Sequence, residues 1–141
     1  GFRLKKNGHI DPKDEMVTFE VKAQLSGNKP VNRLQDAVDD SAKDNLRKAY
    51  SLNAAKRRLL ATKNGAGAAI VERFQDASDR PYKDLTGAAA VFCDSVFDTN
   101  SIKTTDTKAH PNRSNLILLV VRGKDLMKLT HNLYLRAANE A

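Results

Sequence analysis

The apolar residues change period along the chain. In "MVTFEVKAQL", residues 16 to 25, they alternate: Met16, Thr18, Glu20, Lys22 and Gln24 on one side, Val17, Phe19, Val21, Ala23 and Leu25 on the other. Alternate strand residues share a face, so this pattern predicts a strand. Its wholly apolar face is expected to pack on a core, while the other face turns polar toward its end. Residues 2 to 5 predict a short strand ahead of it, and Asn7-Gly8 and Asp11-Pro12 are turn signals, so the two strands read as a hairpin. "SGNKP" ends the alternation. Val31, Leu34, Val38, Ala42, Leu46 and Ala49 then recur at steps of three and four, which predicts a long helix running to about Ala61. Asn64 and Gly65 in "KNGAG" are expected to supply its left-handed cap. A short helix is predicted over residues 66 to 77, with Ile70 and Phe74 inward.

"TGAAAVFCDS" (86 to 95) has the length and composition of a buried strand. "FDTNSIKTTDTKAHPNRSN" (97 to 115) is polar and aperiodic and reads as a long exposed loop. "NLILLVV" (115 to 121) reads as the clearest buried strand. Gly123 ends it, and a helix from about Lys124 carries the stripe Leu126, Leu129, Leu133 and Ala137. A hairpin followed by helix-connected, continuously apolar strands implies an α/β fold: a mixed β-sheet with flanking helices. No internal repeat or low-complexity segment interrupts it. The 141 residues suit one domain, 1–141.

Composition narrows the class. Hydrophobic residues make up 40 % and charged residues 29 %, enough apolar material for a core, which excludes general disorder. No apolar run approaches the ~18 residues of a membrane span, so no membrane-spanning segment is expected. "GFRLKKNGHI" lacks the layout of a signal peptide. The single cysteine, Cys93, cannot make an internal disulfide or a Cys-based zinc site, and a reducing compartment, the cytoplasm, fits best. The formal net charge of +7 favours polyanionic partners such as nucleic acid or an anionic membrane surface. Arg33, Lys43, Arg47, Lys48, Lys56, Arg57, Arg58 and Lys63 all fall in or beside the long helical stretch. Interleaved acids make most of them a solvated face. Lys56, Arg57 and Arg58 have no neighbouring acid in sequence and are the expected phosphate-facing group.

Glu20 and Lys22 share one strand face. Metal-dependent phosphodiester hydrolysis needs carboxylate oxygens to hold Mg²⁺ and a cation near the attacking water or the developing charge. A Glu-x-Lys strand supplies both, although a surface ion pair has the same spacing. Gln24, on the same face, is either a water- or phosphate-contacting group or a polar strand end. Gln35 and Lys43 are further candidates to face the site. The three histidines, His9, His110 and His131, are isolated and read as surface residues. Cys93 reads as a buried small hydrophobe, Asp94 as a turn or helix cap, and "GAGAA" lacks the ending of a phosphate loop.

The Glu20-x-Lys22 strand, preceded by a hairpin and followed by a long helix, resembles the strand signature of the PD-(D/E)xK nuclease superfamily. Over most of residues 1 to 141, "FEVKAQL", "NRLQDAVDDSAKDNLRKAYSLN", "AAAVFCDS" and "LILLVVRGKDLMKLTHNLY" resemble the HamA-like nuclease component of the bacterial Hachiman anti-phage defence system. The resemblance implies a restriction-endonuclease-like core and metal-dependent DNA cleavage with Mg²⁺ or Mn²⁺. It implies Glu20 as metal ligand, Lys22 at the water or the transition-state charge, and a helicase-like partner subunit; on this reading Arg57 and Arg58 of the basic run contact phosphates. One departure stands out. The metal-binding Asp of this superfamily commonly opens the preceding strand, which here is "GFRL", so it would fall before Gly1. Asp11 and Asp14 lie in the turn instead. Together with the start lacking Met, this leads to the expectation of a C-terminal fragment without its N-terminal part. The alternative functions are a non-catalytic nucleic-acid- or partner-binding module of the same fold and a small basic structural protein.

Overall fold

The computed structural model describes residues 1–5, 9–43, 45–75, 78 and 81–139, and the side chains of all of these but 45–47. The elements run β1 (Phe2–Arg3), β2 (Glu15–Gln24), α1 (Arg33–Ser41), α2 (Asn45–Ala61), α3 (Gly65–Arg73), β3 (Lys83–Cys93), α4 (Thr99–Lys103), β4 (Leu116–Gly123) and α5 (Leu126–Asn139), with single 3₁₀ turns at Asp94–Val96 and Arg113–Asn115. The fold is α/β: a mixed four-stranded sheet in the order β1-β2-β3-β4, with flanking helices. β1 and β2 form the expected hairpin, antiparallel with Phe2 opposite Met16 and Arg3 opposite Glu15. The Asn7-Gly8 turn lies outside the described residues. The Asp11-Pro12 turn is closed by the Asp14 N–H donating to the Asp11 carbonyl at 2.9 Å. No helix among the described residues is long and apolar enough to cross a membrane.

Two compact units make up the chain: Gly1–Thr18 with Lys43–Thr86, and Phe19–Ala42 with Gly87–Ala141. β2 and β3 give their first residues, up to Thr18 and Thr86, to the first unit and the rest to the second.

In the first unit, Met16 of β2, Leu52 of α2, and Val71 and Phe74 at the end of α3 form a buried cluster, with Ala55, Leu59, Ile70 and Tyr82 against it. Ile70 and Phe74 thus point inward as the period predicts. Phe2 stacks on Phe74 at 4.8 Å between centroids, and Tyr82 meets its edge at 5.0 Å. Burying one such ring contributes about 1.5–3 kcal/mol. Beside the cluster lies a buried ion pair: Asp14, 0 % exposed, accepts from Arg73 at 3.2 Å. Its carboxylate also accepts from the N–H groups of Lys5 (2.9 Å) and Asp11 (3.2 Å), so it clamps both arms of the hairpin. Arg73 donates further to the carbonyls of Pro81 (2.9 Å) and Asp11 (3.2 Å). A buried pair is stable only when its remaining donors and acceptors are met in this way.

The second unit buries α1 on the sheet. Leu34 packs with Ala90 and Phe92 of β3, and Ala37 and Val38 pack with Ala88. Val120 and Leu116 of β4 close the two clusters, with Phe97 and Ile102 from the segment between. The alanines of β3 let the helix lie close. On the other side of the sheet the Phe19 ring occupies the space where a Gly87 side chain would be: a Cβ there would come within 2.2 Å of it.

Five expectations are corrected. The long helix is two helices, α1 and α2, interrupted after Ser41, whose hydroxyl donates back to the Val38 carbonyl (2.9 Å). The apolar stripe runs across the break, so periodicity alone does not reveal it. The cap after α2 is made at Lys63, which takes the left-handed conformation (φ 58°); Asn64 instead caps the start of α3 by accepting from the Gly67 N–H (2.8 Å). Residues 97 to 115 are not a plain exposed loop, because they hold α4, capped by Asp98. β4 is the edge strand and is largely exposed, because no strand among the described residues lies beyond it in the sheet. The α5 helix forms, but none of its residues is buried.

Removing the Asp14 charge leaves Arg73 buried without its partner. Asp14→Asn is expected to cost about 3 kcal/mol of unfolding free energy, read by denaturant titration. Burial pushes the Asp14 pKa up, but the hydrogen bonds from Lys5, Asp11 and Arg73 outweigh it and hold it below the ordinary value. Its contribution is therefore fully present above about pH 4 and lost as pH falls through the folded value, so the wild-type and variant curves should converge in acid.

Candidate active site

The alternation of β2 decides which of its faces meets α1, and it is the polar one. Phe19 and Val21, expected to pack on a core, stand about half exposed, while Glu20, Lys22 and Gln24 are turned inward. The face is inward because each of these side chains has a polar partner there. Lys22 Nζ lies 2.9 Å from Glu20 Oε1 and 2.5 Å from Asp40 Oδ2 on the last turn of α1. The three side chains are 19 %, 29 % and 34 % exposed for Glu20, Lys22 and Asp40: sheltered, yet reachable from solvent. The Asp40 carboxylate, then the Glu20 carboxylate, hold the Lys22 pKa above its usual value against the opposing effect of desolvation. The ammonium is therefore firmly charged at neutral pH, and two carboxylates are brought together around it.

Several contacts fix where Asp40 stands. Gln24 is buried, its Nε2 donating to the Lys29 carbonyl (2.8 Å) and its Oε1 accepting from the Val31 N–H (3.1 Å). That sets the turn from β2 into α1. Asn32 caps α1 by accepting from the Gln35 N–H (3.0 Å), and its Nδ2 donates to the Ser101 carbonyl (2.7 Å) of α4. Gln35 does not reach the cluster; its amide bonds Asp39 (2.8 Å) and both backbone groups of Asp106 (2.7 and 3.2 Å). Lys43 stands beyond the end of α1 and is exposed.

At the far end of α1, Ser41 Oγ lies 3.1 Å from His110 Nε2. His110 Nδ1 accepts from the Asn112 N–H (3.1 Å), so the neutral ring carries its proton on Nε2 and donates to Ser41, which donates on to Val38. His110 is thus a buried residue, not a surface one, and burial lowers its pKa. His9 and His131 are exposed as expected.

The other candidates separate. Lys56 is not acid-free: it pairs with Glu72 of α3 at 3.2 Å, a contact that sequence distance hides. Arg57 and Arg58 are exposed on α2. Asp14 is committed to Arg73. Asp94 opens a 3₁₀ turn and pairs with Arg122 at 3.2 Å, whose guanidinium lies 4.8 Å from the Phe97 ring centre. Cys93 is half-buried, and its thiol pKa is lowered mainly by hydrogen bonds from the backbone and hydroxyl of Ser95.

Asp40 is the residue that sequence reasoning missed. The available signal was its place three residues after Ala37, on the flank of the buried stripe, where a carboxylate sits beside the sheet instead of in open solvent. Among the described residues no group of three or more His, Cys, Asp or Glu side chains could hold a metal ion; Glu20 and Asp40 are the two carboxylates that converge on Lys22.

The HamA family model matches residues 2–137, nearly the whole chain. No curated protein and no solved structure matches it.

The geometry makes one local measurement decisive. In Asp40→Asn, and to a smaller degree in Glu20→Gln, the Lys22 pKa should fall back toward its ordinary value, followed by the ¹³Cε shift of Lys22 against pH. An unchanged titration in both variants would mean that the ammonium does not bridge the two carboxylates.

Proposed function

The chain belongs to the HamA family of the Hachiman anti-phage defence system, and on that footing we propose that it is a metal-dependent DNA nuclease domain with a restriction-endonuclease-like core. The observation that carries the reading is the Lys22 ammonium held between Glu20 and Asp40 on a sheltered but open face.

Glu20 and Asp40 offer oxygen donors of the class that Mg²⁺ or Mn²⁺ takes. Mg²⁺ is commonly held by one or two carboxylates, with waters and substrate phosphate oxygens completing the shell. Glu20 and Asp40 would hold it, and when bound it supplies polarisation of the phosphate and a more acidic water. Lys22 acts as a cation. With its pKa raised it keeps its proton at neutral pH, so it serves to orient the attacking water or offset the charge growing on the phosphate, not as a general base. Gln24, with its amide committed to residues 29 and 31, positions α1 and hence Asp40. Arg57 and Arg58, exposed on α2, are the phosphate contacts that the basic charge calls for. The implied setting is the bacterial cytoplasm, with a helicase-like subunit as the partner within the defence system.

A second reading is a nucleic-acid- or partner-binding module of the same fold. The observation that favours it is a cluster with two carboxylates where a full hydrolytic site often has three.

The two readings part in a cleavage assay on plasmid and linear DNA with Mg²⁺ or Mn²⁺. Wild type should cut, chelation should stop it, and Glu20→Ala, Lys22→Ala and Asp40→Asn should each lose at least about 100-fold in rate. Binding without cleavage at any metal concentration supports the module instead. Replacing Arg57 and Arg58 together by glutamine should weaken DNA binding of every sequence alike and flatten the logarithmic salt dependence by about two.

A further inference from the structure

One side of the sheet in the second unit is apolar and about half exposed. Phe19 and Val21 of β2 and Ile117, Leu119 and Val121 of β4 project from the side opposite α1, and all five are 38–55 % exposed. β4 is also the edge of the sheet. Its sequence, "LILLVVRG", opens with six apolar residues, has no proline, and carries one charge, Arg122, near its end. Natural edges of this length are normally blunted by charge, proline or a covering element, since their unpaired N–H and C=O groups recruit another strand. Close behind β4 in sequence, α5 presents Leu126, Leu129, Leu133 and Ala137 along one stripe, with Leu129 and Leu133 more than half exposed and none of its residues buried. A sheet lacking a helix and a helix lacking a sheet thus stand in the same chain.

We propose that β4 and α5 form a homodimer interface. The β4 strands of two copies pair antiparallel about a two-fold axis, which joins two four-stranded sheets into one, and the α5 helices cover the apolar side of the joined sheet. The occupant is a second copy because antiparallel pairing of a strand with itself is automatically two-fold and self-complementary. The strand tolerates that pairing in register. Centred at Leu119, it sets each Arg122 opposite a Leu116 of the second copy, so the two cations lie at opposite ends of the ladder. Each copy brings the 8 residues of β4 and the exposed apolar stripe of α5 to the contact. A nucleic acid is a poor occupant, since the patch is apolar and its phosphates need cations. The proposal is independent of whether the chain cuts DNA.

The test is the mass of the full chain in solution, measured by light scattering from about 1 to 100 µM, with hydrogen exchange on β4 and α5. Expected are a dimer of twice 15.6 kDa and β4 amides protected in the dimer. Leu129→Glu with Leu133→Glu alters only exposed positions and should keep the circular dichroism of the wild type while raising the dimer dissociation constant at least about 100-fold. A wild-type mass of 15.6 kDa across the range overturns the proposal. So does a dimer untouched by both this variant and Leu119→Lys, which would place the contact elsewhere. A monomer whose β4 and α5 amides are protected would show that α5 closes on its own sheet, and overturns it too.

Discussion

Lys22 has a carboxylate on either side, and the second unit is arranged so that it stays there. Two carboxylates brought together repel each other unless a cation lies between them, and an ammonium with three donors is the compact group that can serve both. Everything around it limits how far the carboxylates can move. Glu20 is two residues away on the same strand. Asp40 rides on α1, which is held at its start by Asn32, at its turn by Gln24 and at its end by Ser41 and His110. Alanines at 88 and 90 let that helix sit low on the sheet.

The chain contains a second acid–base pairing, and the contrast between them is instructive. Asp14 and Arg73 are buried, and backbone groups of Lys5, Asp11 and Pro81 bond to them as well. Such a pair can specify one arrangement of hairpin and helix, but no ligand can reach it. The Lys22 cluster is built from the same kinds of group, yet remains partly open, so its partners can be exchanged. Burial, more than residue type, sets the two pairings apart.

How much of this was legible in the sequence follows from what each signal encodes. Alternation in residues 16 to 25 marks a strand and places Glu20, Lys22 and Gln24 together, but it is symmetric between faces. Which face turns inward depends on Asp40 and Val31, far along the chain or beyond a turn. The six apolar residues of β4 look the same in the middle of a sheet as at its edge, because composition carries no strand order. The stripe of Val38, Ala42, Leu46 and Ala49 keeps helical spacing through the break after Ser41. Pairings such as Lys56 with Glu72 or His110 with Ser41 join residues 16 and 69 positions apart, and no local pattern announces them. Family resemblance, carried by "FEVKAQL" and the segments after it, was readable because it does not depend on knowing those contacts.

The last turn of α1 has a consequence of its own. It carries Asp39 and Asp40 and no basic residue, so the helix sets negative charge at its own negative end. That disfavours the helix by a few tenths of a kcal/mol to about 1 kcal/mol for each charge. At residue 40 the Lys22 ammonium, 2.5 Å from the carboxylate, offsets this penalty. The end of α1 is thus held by a cation lent from the strand beneath it, so the helix end and the polar face of β2 are expected to loosen together when either is changed.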